Sequence, residues 1–163
     1  MTALSHLDAN GDARMVDVSA KSPGLRRAVA TGHILMNADS FALLHDGAPK
    51  GDVLATARIA AIQAAKQTAN LIPLCHPLGL THVAATFHAD PASAALHLTV
   101  TTEALDRTGV EMEALCAVSV GLLTVYDMLK AVDRGMRIDG IHLLEKHGGR
   151  SGSWHADPHN PAS

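Results

Sequence analysis

An apolar pattern across residues 108–133 constrains the fold more than any other part of the chain. Apolar residues recur there at alternating steps of three and four, which sets them on one stripe of a helix of about six or seven turns. The opposite stripe is apolar in its middle and charged at both ends. Because a helix that is apolar on two sides is covered twice, we expect one cover from the chain's own sheet, with a second subunit as a candidate for the other. The first stripe comprises Leu115, Val118, Leu122, Val125, Leu129 and Val132.

The charged ends of this helix limit the chemistry that it can support. Asp127 and Lys130 are neighbours on one face, whereas Glu113 lies about 21 Å away along the helix axis. These ends cannot bind one small group together, so if both are functional they contact separate parts of a long ligand, or another subunit completes one site. From spacing alone, the simpler interpretation is a solvated ion pair of Asp127 with Lys130, and acidic residues, Glu111 and Glu113, that suit a helix N-terminus.

The segments around this helix follow a regular order. We predict strand, helices, strand, strand, helix and strand, which is the split βαβ order of a ferredoxin-like α+β sandwich with an antiparallel sheet and its helices on one face. A short strand is also expected at residues 15–19. The expected long elements are strands at 25–36, 80–89, 94–104 and 136–146, a short helix capped by Asn37, a helix at 53–69 capped by Asp52, and the long helix at 108–133.

Length and composition exclude several classes of protein. The 163 residues fit one domain at 1–152, followed by a Gly- and Pro-rich stretch at 153–163 that we predict to be a flexible C-terminal tail. A net charge of -3 and an aromatic content of 2% argue against nucleic-acid binding. The longest apolar run is too short for a membrane span and no signal-peptide pattern is present, so we expect a soluble, cytoplasmic protein. Two cysteines, Cys75 and Cys116, form no disulfide framework, which fits a reducing compartment.

Lys50, Gly51 and Asp52 stand at the predicted start of the second helix. Free backbone amides and the helix dipole favour phosphate at such a position, and Lys50 adds a positive charge. However, no Walker-type glycine run is present, and Asp52 competes for the same amides. A solvated loop lysine is therefore the simpler alternative.

Cys75 and His76 lie between Pro73 and Pro77, which exclude a helix and predict a rigid, extended loop. Such a backbone can hold a thiol, an imidazole and carbonyl groups in the fixed positions that recognition of a base requires. A buried histidine bonded to backbone explains the pattern equally well. A metal site is not expected, because two adjacent ligands cannot make a tetrahedral set without partners.

The last strand and the tail carry two weaker patterns. Lys146 precedes a glycine-rich basic segment at residues 147–152, whose backbone can approach phosphates, although an ordinary flexible exit from the strand is the commoner outcome. His155 and His159 have the spacing of a metal-binding pair on a helix. Because Pro158 argues against a helix there, we predict no metal site.

Several motifs together resemble one family over nearly the whole chain up to Gly152. The most specific are Pro-Leu-Cys-His-Pro at 73–77 and Gly-Val-Glu-Met-Glu-Ala at 109–114. The others are Met-Val-Asp-Val-Ser-Ala-Lys at 15–21, Lys-Gly-Asp-Val at 50–53 with Ala-Thr-Ala-Arg-Ile-Ala at 55–60, Tyr-Asp-Met-Leu-Lys-Ala-Val at 126–132 and Gly-Gly-Arg-Ser-Gly at 148–152. Taken together, they resemble cyclic pyranopterin monophosphate synthase, the molybdenum cofactor biosynthesis protein C.

The resemblance implies a reaction and an assembly. Cyclic dihydroguanosine triphosphate, made by a preceding radical enzyme, is rearranged to cyclic pyranopterin monophosphate with release of pyrophosphate, so the protein is expected to be a phosphorus–oxygen lyase. The implied assembly is a homohexamer, a trimer of ferredoxin-like dimers, with active sites at a subunit interface and with substrate hand-over from the radical enzyme. The sequence requires no cofactor and leaves open whether Mg²⁺ assists the departure of pyrophosphate.

The resemblance also implies roles for individual residues, matched by position. Asp127, Lys130, Lys50 and Lys146 correspond to catalytic residues. We expect Lys130 to be the main proton donor and Asp127 to set its charge state and take part in proton transfer, if their pKa values are tuned toward neutrality. Lys50, Lys146 and Arg26 are expected to hold phosphates. The implied substrate-binding residues are Leu74, Cys75, His76, Met112, Glu113, Glu111, Arg26 and Asp17.

Two other functions fit the sequence. One is a ferredoxin-like oligomeric sensor that binds a purine nucleotide without turnover, and the other is a metal-binding protein that uses the eleven histidines. Nucleotide binding without product would favour the sensor, and stoichiometric metal after gentle purification would favour the metal-binding protein. The chain departs from the family pattern at Pro49, His147 and Arg150 and in its longer tail, but none of these changes removes an implied catalytic position.

Overall fold

The structure, a computed structural model, describes residues 7–8 and 10–157. These residues form one five-stranded antiparallel sheet and four helices, which confirms the predicted α+β class and ferredoxin-like order. The elements are β1 (Gly24–Leu35), α1 (Ala38–Asp46), α2 (Val53–Lys66), α3 (Thr68–Leu71), β2 (Leu80–Asp90), β3 (Ala95–Asp106), α4 (Glu111–Leu129), β4 (Arg137–His147) and β5 (Trp154–His155).

The strands lie side by side in the order β2-β3-β1-β4-β5, and each neighbouring pair is antiparallel. Successive side chains of a strand point to opposite faces of the sheet. In β1, Ala28, Ala30 and Ile34 are fully buried on the helical side, whereas Leu25 is largely exposed. Helix α4 contacts β1, β3 and β4, and α2 contacts α4 and β2, so the two long helices cover one face and leave the other open.

Small residues allow α2 and α4 to pack closely against each other. Ala57 and Ala61 of α2 are fully buried against α4. A Cβ atom added to Gly121 of α4 would lie 3.2 Å from the Cβ of Ala61 and only 2.5 Å from Cδ2 of Leu98 on the sheet. Glycine at this position therefore lets α4 contact both α2 and the sheet. This explains how a chain with 2% aromatic residues fills its core without large side chains.

Helix α4 is shorter than predicted at both ends. Its central stripe is buried as expected, but Val132 lies beyond the helix and is 44% exposed. The helix ends at Leu129 rather than Asp133, and just beyond its end the Asp133 carboxylate accepts hydrogen bonds from the backbone amides of Asn37 and Gly135, both at 2.8 Å. This carboxylate ties the end of α4 to the start of α1, so the chain turns there toward β4.

By length and composition α4 is long and apolar enough to cross a membrane, contrary to our prediction that its apolar run is too short. Its most apolar window is 56% buried within the protein. Val118, Leu122 and Val125 have no exposed surface and pack in the core between the sheet and α2. The composition of α4 is therefore accounted for by its place at the centre of the domain.

Two segments near the termini differ from the sequence-based picture. The strand predicted at residues 15–19 is wrong, because this segment belongs to none of the strands in the part of the chain that the structure describes. Instead, Nε2 of His76 donates a hydrogen bond to the carbonyl of Val16 at 2.7 Å. At the other end, Trp154 and His155 pair with β4 as β5, and the rest of the predicted tail from residue 158 lies outside the described residues.

Candidate active site

A cleft in two parts opens at the N-terminal end of α4. One part, the inner cavity, has a volume of about 300 Å³ and is bounded by the segment before β1, the Cys-His loop and the first turn of α4. The other part, the cationic cavity, has a volume of about 540 Å³ and is bounded by the segment before β1, the β3–α4 connection and the segment after β4. The residues that line both cavities, and thereby join them, are Lys21, Thr108, Gly109 and Glu111.

Glu113 places a buried carboxyl group in the inner cavity. It belongs to the first turn of α4, lines the cavity and is only 4% exposed. Burial raises the pKa of Glu113 to about 7, and the nearby charge of Glu111 acts in the same direction. A carboxyl group with such a pKa can both give and accept a proton at neutral pH, as a general acid or base requires.

The Cys-His loop forms the wall that faces α4 across the inner cavity. Leu74, Cys75 and His76 all line the cavity, as the family resemblance implies for substrate contacts. The hydrogen bond from Nε2 of His76 to Val16 fixes the imidazole and also anchors the segment before β1. Burial raises the pKa of the Cys75 thiol, with Glu113 adding to the effect, so the thiol stays protonated at neutral pH. The histidine bonded to backbone is thus confirmed, and recognition of a base by the loop stays a prediction.

Five cationic side chains and one carboxylate line the cationic cavity. Arg26 is the most constrained of them, since it is 8% exposed and its Nε donates a hydrogen bond to the carbonyl of Asp106 at 3.0 Å. The ammonium group of Lys146 donates a hydrogen bond to Oγ of Ser151. Such an excess of positive charge favours anions such as phosphate. The cations are Lys21, Arg26, Arg107, Lys146 and Arg150, and the carboxylate is Glu111.

The glycines after β4 allow the backbone to pack directly against Arg26. Gly148 and Gly149 have φ angles of +95° and +83°, a region that favours glycine. A Cβ atom added to Gly148 would lie 2.3 Å from the carbonyl oxygen of Leu25 and 3.3 Å from Nη1 of Arg26. The glycine-rich segment is therefore a fitted wall of the cationic cavity, and not simply a flexible exit from the last strand.

A second group of charged residues, the lysine–aspartate cluster, lies at the other end of α4. It consists of Asp127, Lys50 and Lys130. The Asp127 carboxylate contacts the ammonium group of Lys130 at 2.6 Å and that of Lys50 at 2.8 Å, and Lys50 also donates to the Asp127 carbonyl at 2.8 Å. Hydrogen bonds from Lys130 and then Lys50 lower the pKa of Asp127 to about 2. Asp127 is thus ionised across the physiological range, so the condition set for its part in proton transfer, a pKa tuned toward neutrality, is not met.

The residues that the sequence pointed to are therefore divided between the two ends of α4. Lys146 lies in the cleft with Arg26 rather than with Asp127. Asp17 lies beside two cavity-lining valines, but it does not itself line the cavity, and its carboxylate accepts a hydrogen bond from the amide of Ser19 at 2.8 Å. The predicted residues in the cleft are Arg26, Leu74, Cys75, His76, Glu111, Met112, Glu113 and Lys146, and those at the other end are Lys50, Asp127 and Lys130.

Sequence reasoning missed several residues of the cationic cavity. Lys21 lines both cavities, and Arg107 lines the cationic cavity just after β3. Each stands in a short connection at the end of a strand, next to a turn or a helix start. Cations in such connections are a usable signal when they stand beside turn-forming residues, as Lys21 does before the Ser-Pro-Gly sequence at residues 22–24.

Comparison with known proteins gives two results. A sequence model described as the MoaC family matches residues 15–149, which is more than half of the chain. Among solved structures, the chain is similar to the crystal structure of AtUAH in complex with (S)-hydroxyglycine, at 12% sequence identity and a TM-score of 0.40. This similarity covers 84% of the present chain but only 30% of the other, and at this level it carries no argument about function.

Proposed function

The chain belongs to the MoaC family, the cyclic pyranopterin monophosphate synthases of molybdenum cofactor biosynthesis, and we propose that it catalyses the reaction of that family. In this reaction cyclic dihydroguanosine triphosphate is rearranged to cyclic pyranopterin monophosphate and pyrophosphate is released, which makes the protein a phosphorus–oxygen lyase. We further propose that it works in the cytoplasm on substrate handed over by the preceding radical enzyme. The burial of α4 in the core is in keeping with a soluble enzyme.

The observation that carries this proposal is the junction of the two cavities. The substrate is a purine derivative with a triphosphate. Its base needs a largely neutral cavity, and its phosphates need a strongly positive cavity beside it. The inner cavity offers the rigid Cys-His loop and the protonated thiol of Cys75 for the base, together with Met112. The cationic cavity, which shares one wall with it, offers five positive side chains for the phosphates.

Glu113 is the carboxyl group best suited to proton transfer at the base. Opening the five-membered ring of the guanine and closing it again as a pterin requires repeated proton transfers. With a pKa of about 7, Glu113 can carry protons in both directions, whereas Asp127, with a pKa of about 2, cannot act as an acid near neutral pH. We propose that Asp127 holds Lys50 and Lys130 in place through its ion pairs with them, and that Lys130 is the main proton donor.

Formation of the cyclic phosphate needs stabilisation of a leaving group. A substrate hydroxyl oxygen bonds to the α-phosphorus as the bond from that phosphorus to the pyrophosphate oxygen breaks, and the hydroxyl proton passes to a base. Negative charge then accumulates on the departing pyrophosphate. Arg26 and Lys146, both in the cationic cavity, are suited to neutralise that charge. We propose no resident cofactor, and an assay with and without Mg²⁺ measures any assistance from a divalent cation.

The division of charged residues between the ends of α4 favours a site shared by two subunits. The helix is about 28 Å long, so the cleft and the lysine–aspartate cluster of one chain cannot contact the same reacting atoms. We propose that the cluster of one subunit completes the cleft of another within a homohexamer, a trimer of dimers. In keeping with this, the cluster is about half exposed, and Leu123 on the outer side of α4 is 57% exposed.

The experiment that tests the proposed function combines the purified protein with freshly prepared cyclic dihydroguanosine triphosphate. Release of pyrophosphate and formation of the pterin are both followed. Lys130→Ala and Asp127→Ala should lose turnover while the oligomer stays intact by light scattering. Lys66→Ala is a matched control, because Lys66 is an exposed lysine at the end of α2 that belongs neither to the cleft nor to the lysine–aspartate cluster.

The result that supports the proposal is wild-type turnover that Lys66→Ala retains and both cluster variants lose. Binding of the substrate without pyrophosphate release by the wild type would reject catalysis and favour the nucleotide sensor. Near-normal turnover by Lys130→Ala would leave the reaction in place but overturn the role of that lysine.

A further inference from the structure

A compact group of possible metal ligands lies on β4 and β5, outside both the cleft and the lysine–aspartate cluster. It comprises Glu145, His147 and His155, and each of the three residues can contribute one ligand atom such that these atoms all lie within 4.8 Å of one another. Glu145 and His155 are direct partners in the β4–β5 pair. The sequence did not indicate this group, because His155 lies beside β4 only as a result of the chain turning back after β4.

The distances within this group approach those of a metal site. Nε2 of His147 lies 3.7 Å from one carboxylate oxygen of Glu145, and Nδ1 of His155 lies 3.4 Å from the other. In a tetrahedral zinc site with bonds of about 2.0–2.1 Å, neighbouring ligand atoms are about 3.3 Å apart. The widest separation between ligand atoms is at most 4.8 Å, so side-chain movements of up to about 1.5 Å would bring the three groups into a coordination sphere.

Neighbouring groups support the orientation of these ligands. Nδ1 of His147 lies 2.9 Å from Oγ of Ser153. In the tautomer that donates this hydrogen bond, the lone pair of Nε2 is directed to the same side as Glu145, which is the usual arrangement for a histidine that binds a metal. Arg27 forms an ion pair with the Glu145 oxygen that faces Nε2 of His147, so the other oxygen, on the side of His155, is the one left for a metal ion.

We infer that Glu145, His147 and His155 bind one divalent transition-metal ion of the type that prefers two imidazoles and a carboxylate, such as Zn²⁺, and that this ion clamps β5 onto β4. Lys146 lies between two of the ligands in sequence and, by the alternation of a strand, points to the opposite face, where it lines the cationic cavity. The clamp would thus fix both ends of the segment at 148–153, which forms one wall of that cavity. The inference does not rest on the proposed reaction.

The test is a titration of the full-length, tag-free protein with Zn²⁺. Trp154 is the only tryptophan of the chain and lies next to His155 in β5, so its fluorescence reports the site directly. Calorimetry gives the stoichiometry. We expect saturable binding of one Zn²⁺ per chain with a change in Trp154 emission, and an affinity weakened at least about tenfold in His155→Gln and in Glu145→Gln.

His88→Gln is the matched control, because His88 is an exposed histidine on β2 that lies outside the group. It should bind Zn²⁺ as the wild type does. The inference is overturned if His155→Gln and His88→Gln bind with the same affinity and stoichiometry, or if the wild type shows no saturable binding. His155 is 60% exposed in a strand of two residues, so its replacement is expected to leave the fold intact, which circular dichroism checks.

Discussion

Glu113 and Asp127 lie on the same helix, and their pKa values are shifted in opposite directions, to about 7 and to about 2. At the N-terminal end of α4 the helix dipole favours an ionised carboxylate by about 0.3–1 kcal/mol, yet the burial of Glu113 outweighs this effect. At the other end, Asp127 is exposed to solvent, but hydrogen bonds from Lys130 and Lys50 keep it ionised. One helix thus presents a carboxyl group that exchanges protons near neutral pH and another that stays charged.

Glu113 should make the folded protein less stable as the pH rises. Its pKa is about 7 in the folded protein and 4.5 without the influence of the fold, so between these values only the folded state keeps the proton. Unfolding then releases a proton, and stability is lost as the pH rises through this window, by on the order of 2 kcal/mol. Urea denaturation at pH 5 and pH 8 should show this loss in the wild type and a much smaller one in Glu113→Gln. Asp39→Asn, at an exposed position on α1, should behave as the wild type.

The two lysines should affect the pKa of Asp127 unequally. The hydrogen bond from Lys130 contributes most to the lowered value of about 2, and that from Lys50 contributes next. In Lys130→Ala the pKa of Asp127 should therefore rise toward the ordinary aspartate value of 3.8, and by more than it does in Lys50→Ala. Carboxyl carbon shifts followed by NMR across pH 1.5 to about 6 measure both values. Equal values in the wild type and in Lys130→Ala would show that the ion pair does not form in solution.

Gly148→Ala should weaken anion binding in the cationic cavity. A Cβ atom at this position would lie 2.3 Å from a backbone oxygen of β1, so the segment must move away from Arg26. Calorimetry with inorganic pyrophosphate should show a loss of about tenfold, which corresponds to about 1.4 kcal/mol. Gly152→Ala is the control, because Gly152 also has a positive φ angle, +64°, but has open space around it. It should lose about 1 kcal/mol of stability and retain pyrophosphate binding. Equal pyrophosphate affinity in the two variants would contradict the fitted-wall interpretation.

His76→Leu should release the segment before β1. The hydrogen bond from His76 to Val16 is worth about 1 kcal/mol, so the segment should open about fivefold more often. Limited trypsin digestion reports this through cleavage after Arg14 and Lys21, which flank Val16. His82→Leu, at an exposed histidine of β2, should be cleaved at the wild-type rate. If both variants are cleaved equally, the anchor does not depend on His76.

Much of the fold could be predicted from local patterns. The strands β1 and β3 and the side-chain caps by Asn37 and Asp52 all appear as expected, because each depends on residues close in sequence. The strand predicted at 15–19 failed for the opposite reason, since alternation alone does not supply a pairing partner, and Val16 is bonded to a side chain sixty positions away.

The site was predictable in its residue types but not in its grouping. Motifs pointed to Glu113, Asp127 and the lysines, but the pKa of Glu113 depends on burial under the Cys-His loop, which no local pattern encodes. The same limit applies to Glu145, His147 and His155. Pro158 and His159 lie outside the described residues, so the argument against a helix there stays a prediction, whereas the strand partner of His155 is Glu145 on the preceding strand β4.

The separation of the cleft from the lysine–aspartate cluster along α4 has a genetic consequence. If each working site takes its cleft from one subunit and its cluster from another, two inactive variants with damage at opposite ends can repair each other. Glu113→Gln and Lys130→Ala proteins, each inactive alone, should regain partial activity when they are unfolded together and reassembled as mixed oligomers. Two variants with damage at the same end, such as Asp127→Ala with Lys130→Ala, should not. Complementation between alleles would thus reveal the shared site without an image of the assembly.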